Sequence, residues 1–182
     1  MKRRTFVVIG AILLEIYWYL VVSITGGTPT NFLIIRDFSV SANVSLVPFA
    51  DLLSILRANG GAGNFLQIGG NILLFMPLGF LLPFFWQGWR NAKLVVGFGI
   101  AMSLFIELNQ MFNSRATSID DLILNTIGAA IGFVCYLVAK RMLGLQARAG
   151  ACAEKLPIYL LFAVWGFKII TELPMYLEWM NV

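Results

Sequence analysis

Five stretches of the chain, residues 5–24, 65–86, 92–112, 119–139 and 157–173, are almost continuously apolar. Each approaches the length of about 20 residues that an α-helix needs to cross a bilayer. The first run follows Lys2, Arg3 and Arg4 as a secretion signal would. It exceeds the roughly 7–15 residues of a signal's apolar core, carries Glu15 and lacks a small-x-small cleavage site near its end, so it reads as a retained anchor. Residues 26–64 form too long a link for a plain connector. Within it, "VPFADLLSILRANGG" offers Pro48 for a first helical turn, Phe49, Leu52, Leu53 and Leu56 for one apolar face, and Asn59-Gly60 as a stop. That pattern predicts a short amphipathic helix lying on the membrane surface or against the bundle mouth. Pro174 is expected to break the fifth helix, leaving "MYLEWMNV" as an interfacial tail anchored by Tyr176 and Trp179.

Composition removes the soluble alternative. Of 182 residues, 59% are hydrophobic and 12% charged, too little polar surface to cover a globule. The predicted fold is all-α, a polytopic bundle of five transmembrane helices in one domain spanning 1–182. The charge of +4 is unevenly spread. With the N-terminus in the cytoplasm, Lys2, Arg3, Arg4, Arg90, Lys93, Lys140, Arg141, Arg148 and Lys155 lie inside, against Arg36, Arg57 and Arg115 outside. The positive-inside rule therefore places the N-terminus in the cytoplasm and the C-terminus outside. Basic flanks of this kind meet anionic lipid, and no nucleic-acid partner is expected. Cys135 and Cys152 have no metal-ligand or redox spacing and fall on the cytoplasmic side, where thiols stay reduced.

Polar groups within the spans point to the chemistry, because each is costly there. Counting inward at 1.5 Å per residue, Asn71, Glu107 and Asn125 fall at roughly 8–9 Å depth on three different helices. Gln110 shares a face with Glu107, and Asn125 with Asp121. Arg115, Asp120 and Asp121 stand at the rim. The seven residues Asn71, Glu107, Gln110, Arg115, Asp120, Asp121 and Asn125 are expected to converge on a polar pocket open to the outside. Structural roles compete for several of them. Ser118-x-x-Asp121 fits a capping box, Asp120 suits the positive helix end, Arg115 can pair with either aspartate, and Asn71 and Asn125 can serve as interhelical glue. Glu15 and Lys168 fall at roughly 15 and 16 Å from the inner ends of the first and fifth helices, which predicts an ion pair between them. Gly128-x-x-x-Gly132, with Gly97, Gly99 and Ala101, suits close helix packing. Pro77 and Pro83 are expected to kink the second helix and free a carbonyl near Leu73.

"NILLFMPLGFLLP" at 71–83, "ELNQMFNSRATSIDDLILNTIGAAIG" at 107–132 and "NVSLVPF" at 43–49 resemble the VanZ-like family of bacterial membrane proteins. The likeness covers roughly residues 4–141, and the matching signature positions are Asn71, Phe75, Pro77, Gly79, Glu107, Gln110, Arg115, Asp120, Asp121, Asn125 and Gly128. It implies a protein of the bacterial cytoplasmic membrane linked to tolerance of teicoplanin-type glycopeptide antibiotics, with no settled mechanism.

Two functions of different class follow. In one, the pocket binds the polar head of a membrane lipid, a lipid-linked envelope precursor or an anionic envelope molecule, with Arg115 facing phosphate and the amides taking hydroxyls. In the other, an intramembrane enzyme acts on such a lipid, with Glu107 as general base and Asp120 or Asp121 holding a divalent cation. The chain has no histidine, which weighs against the enzyme. No organic cofactor is expected.

Overall fold

A computed structural model describes residues 3–26, 44–45, 47–50, 53, 62–111, 117–143 and 155–180. Five long helices dominate: α1 Arg3–Thr25, α2 Ala62–Phe85, α3 Ala92–Met111, α4 Ile119–Met142 and α5 Leu156–Met180. All five are long and apolar enough to cross a membrane. The fold is therefore the expected all-α bundle, with ends shifted by a few residues. Between α2 and α3 the chain turns through a 3-10 segment, Gln87–Trp89, and Asn91 then caps α3 by accepting from the Lys93 amide at 2.9 Å.

Helices in this bundle hide one face from lipid and offer another to it. On α1 the buried side is Leu14, Trp18, Val21 and Val22, whereas Val8, Ile12, Ile16, Leu20 and Ile24 form an exposed apolar stripe at four-residue spacing. Such a stripe is stable only where the solvent is itself apolar. The α2–α4 interface is the most extensive, and glycine makes it so. Gly128 and Gly132 of α4 lie against the carbonyls of Ile72 and Met76, and Gly79 of α2 against that of Ala129. Backbones that touch leave no room for a side chain, so packing there is backbone on backbone. Aromatic edges join α1 and α5, with Trp18 and Trp165 rings 5.7 Å apart in a T-shape.

Two expectations change. The predicted Glu15–Lys168 pair is not made: Lys168 Nζ bonds Glu172 Oε1 at 2.9 Å, one turn along its own helix, and lies 5.2 Å over the Tyr19 ring. An i,i+4 partner needs no alignment between helices, so it competes well. The fifth helix also does not stop at Pro174 but runs on to Met180. One proline forfeits a single N–H donor and does not by itself end a helix. The side chains of Tyr176 and Trp179 lie outside the described residues. So does most of the segment expected as an amphipathic helix; its described part holds one turn, with the Leu53 amide donating to the Phe49 carbonyl at 2.8 Å. Phe49 sits at φ 63°, in the left-handed region that a side chain other than glycine's rarely adopts. The third element near it, β1 Val44–Ser45, pairs in parallel with β2 Thr117–Ser118.

Candidate functional site

The start of α4 organises the polar end of the bundle. A helix opens with N–H groups that lack intrahelical partners, and in a membrane they cannot be left bare. Ser118 is the N-cap, with extended backbone, and its Oγ accepts from the Asp120 amide at 3.2 Å. The reciprocal half of the expected capping box comes from another helix. Glu107 of α3, 5% exposed, accepts from the Ser118 amide through Oε2 at 3.2 Å, and its own carbonyl accepts from Thr117 Oγ1 at 3.3 Å. Asp121 is thereby released to accept from Asn71 Nδ2, which ties α4 to α2. Buried Asp120 accepts from the Phe49 amide at 2.5 Å, fastening the first loop to the same helix end. Both aspartates lie in the first turn, where the helix dipole favours negative charge.

Beside this scaffold opens a groove of about 520 Å³, between the end of α1, the start of α2, the end of α3 and the start of α4. Thr25, Gln67, Asn71, Gln110 and Asp121 supply its polar wall; Ile24, Leu66 and Leu74 supply its apolar wall, and Gly70 sits between them. Gln110 Nε2 donates to the Thr25 carbonyl at 2.9 Å, satisfying one of the last carbonyls of α1. Its Oε1 is buried and has no partner among the described residues. The Leu74 carbonyl accepts from Tyr17 Oη at 2.7 Å, which fastens α1 to α2.

Deeper in, Asn125 Nδ2 donates to Ser103 Oγ at 2.9 Å, joining α4 to α3. The anticipated single pocket is therefore two layers. Asn71, Gln110 and Asp121 line the groove, while Glu107, Asp120 and Asn125 bond element to element behind it. Arg115 lies outside the described residues.

A family model described as VanZ/LLP1 matches residues 7–140. The chain belongs to the VanZ/LLP1 family. No curated protein and no solved structure matches it. The VanZ/LLP1 match takes in α1 to α4 and so every described residue of the groove, while α5 falls beyond it.

Chemically, the groove of this VanZ/LLP1 member offers hydrogen bonds and one carboxylate beside apolar surface. Asp120 and Asp121 act there as hydrogen-bond acceptors. Sequence reading missed Thr25, Gln67 and Ser103. A signal existed for two of them: Gln67 precedes Asn71 by four residues, and Ser103 precedes Glu107 by four, each pair on one helix face. For Thr25 there was none, since its contribution is a backbone carbonyl at a helix end.

Proposed function

We propose that this protein binds the polar head of a membrane lipid or lipid-linked envelope molecule in the groove, at the outer face that the basic flanks assign to that end of the bundle. The observation that carries the reading is the mixed wall: Ile24, Leu66 and Leu74 against Thr25, Gln67, Asn71, Gln110 and Asp121. An amphiphile held there keeps its chains in the bilayer while its head exchanges water for protein hydrogen bonds. A catalytic role for Glu107 has less support, because a general base must reach the proton it removes and this carboxylate is engaged with the Ser118 amide behind the groove. Occupancy of such a site by an envelope precursor links the protein to teicoplanin-type tolerance, the phenotype its family resemblance implies.

The test is lipid retention. Protein extracted in native-lipid particles is expected to carry a bound species that mass spectrometry detects, lost in Asn71→Ala and Gln110→Ala but kept in Gly97→Ala, where the added methyl meets nothing within 4 Å. Cells expressing the wild type should survive more teicoplanin than controls, and the two groove variants should not at equal membrane levels. Identical bound lipids in all variants would remove the groove from the function.

A further inference from the structure

Three carboxamides border the groove, Gln67, Asn71 and Gln110, and each still has both a donor and an acceptor to offer. Gln110 spends one N–H on the Thr25 carbonyl and Asn71 spends one on the Asp121 carboxylate, which leaves each a second N–H and the amide oxygen. The oxygen of Gln110 is buried and has no partner among the described residues. Gln67 stands exposed at the rim, and its side chain makes no hydrogen bond among the described residues. Gln67, Gly70 and Asn71 are three and four residues apart and so share one face of α2. Between the two amides that face is open down to the backbone: a Cβ built on Gly70 meets nothing within 4 Å. Glycine at such a place lets a ligand come close to the helix itself. Leu66 and Leu74 continue the apolar surface on either side of it.

We propose that the groove selects a neutral head rich in hydroxyl groups, a sugar carried on a lipid, which lies over Gly70 and exchanges hydrogen bonds with Gln67, Asn71 and Gln110. This inference rests on the binding reading above and narrows its chemistry. A hydroxyl both gives and accepts a hydrogen bond, so a row of hydroxyls matches amides that present N–H and oxygen side by side. A phosphate matches the N–H groups but sets oxygen against the amide oxygens, and an ammonium fills the oxygens but leaves the N–H groups bare. A sugar ring also has C–H groups on its face for Gly70 and the two leucines to cover, while its hydroxyls stand at the edge, where the amides are.

The experiment measures binding to the purified full-length protein by native mass spectrometry, in an amine-oxide detergent so that the micelle supplies no sugar. The probes are glucosyl diacylglycerol, phosphatidylcholine and phosphatidylethanolamine of matched chains, and soluble maltose. Glucosyl diacylglycerol should bind on the order of tenfold more tightly than either phospholipid, the scale of one or two net hydrogen bonds. Gln67→Leu removes an amide that holds nothing else in place, so it should lower glucosyl diacylglycerol binding about three- to tenfold and leave the phospholipids unchanged. Gly70→Leu fills the open face and should abolish glucosyl diacylglycerol binding. Equal or tighter binding of a phospholipid, still sensitive to Gly70→Leu, overturns the hydroxyl inference and leaves the lipid-binding reading standing. A preference for the glucosyl lipid that persists in both variants overturns the assignment to this groove. Maltose bound as tightly as the glucosyl lipid overturns the membrane source, and lipid binding indifferent to every groove substitution overturns both readings. Gln67→Leu alone is decisive if Gly70→Leu does not fold.

Discussion

Substituting alanine for Gly132 adds one methyl group where α4 meets α2. Built on the backbone, that carbon lies 2.9 Å from the carbonyl carbon of Met76 and 3.0 Å from Gly79 Cα, and closer still to the Met76 oxygen. Comfortable carbon contacts are about 3.5–4.0 Å. The obstacle is backbone, so no rotamer change relieves it and the two helices must move apart. Overpacking of this kind costs about 1–3 kcal/mol. Alanine's better helix propensity returns up to about 1 kcal/mol, and loss of the Asn71–Asp121 tie between the same helices adds to the cost. Gly69→Ala is the matched control: it makes the same change within α2, where the new methyl meets nothing within 4 Å. Unfolding of the purified protein titrated with denaturing detergent should therefore place Gly132→Ala about 2 kcal/mol or more below Gly69→Ala. Gly132→Ala equal to or more stable than Gly69→Ala would refute backbone contact as the basis of this interface.

Glu107→Gln should keep most of the stability, since an amide oxygen can still accept from the Ser118 amide, whereas Glu107→Leu leaves that N–H bare and should cost about 1–3 kcal/mol; the same unfolding titration checks both. A double-mutant cycle of Lys168→Met with Glu172→Gln should show coupling, and the cycle of Lys168→Met with Glu15→Gln none beyond about 0.5 kcal/mol; reversal of that ranking would restore the pair between α1 and α5. Single cysteines at 115 and 148, in a background lacking Cys135 and Cys152, should react with an impermeant thiol reagent in intact cells at 115 only. Labelling at 148 alone would turn the groove to the cytoplasm.

Much of the architecture is legible in the chain because lipid imposes a simple demand. Every backbone polar group in the bilayer must be bonded within its own segment, so an apolar run of sufficient length has to be a helix. The five runs, the Ser118 cap and the small residues Gly128 and Gly132 follow from local pattern and need no knowledge of neighbours. The proline at 174 misled because a helix can run on past a proline with the loss of one N–H donor. Counting along the spans also puts Asn71, Glu107 and Asn125 at one level.

Partners were not readable, because a partner depends on how each helix is rotated and on what the connecting loops bring in. Glu107 and Asp121 are both acceptors near one helix start, yet Glu107 takes the Ser118 amide and Asp121 takes Asn71. Asp120 faces a loop backbone 71 residues earlier in the chain, and Lys168 turns to Glu172 rather than across to Glu15. Only the packed bundle decides which polar groups are consumed in holding helices together and which are left facing the groove. Hydrogen bonds are short-ranged and directional, so equal depth in sequence does not determine contact; the close approach of α2 to α4 over glycine, and the end of α1 beside Gln110, do.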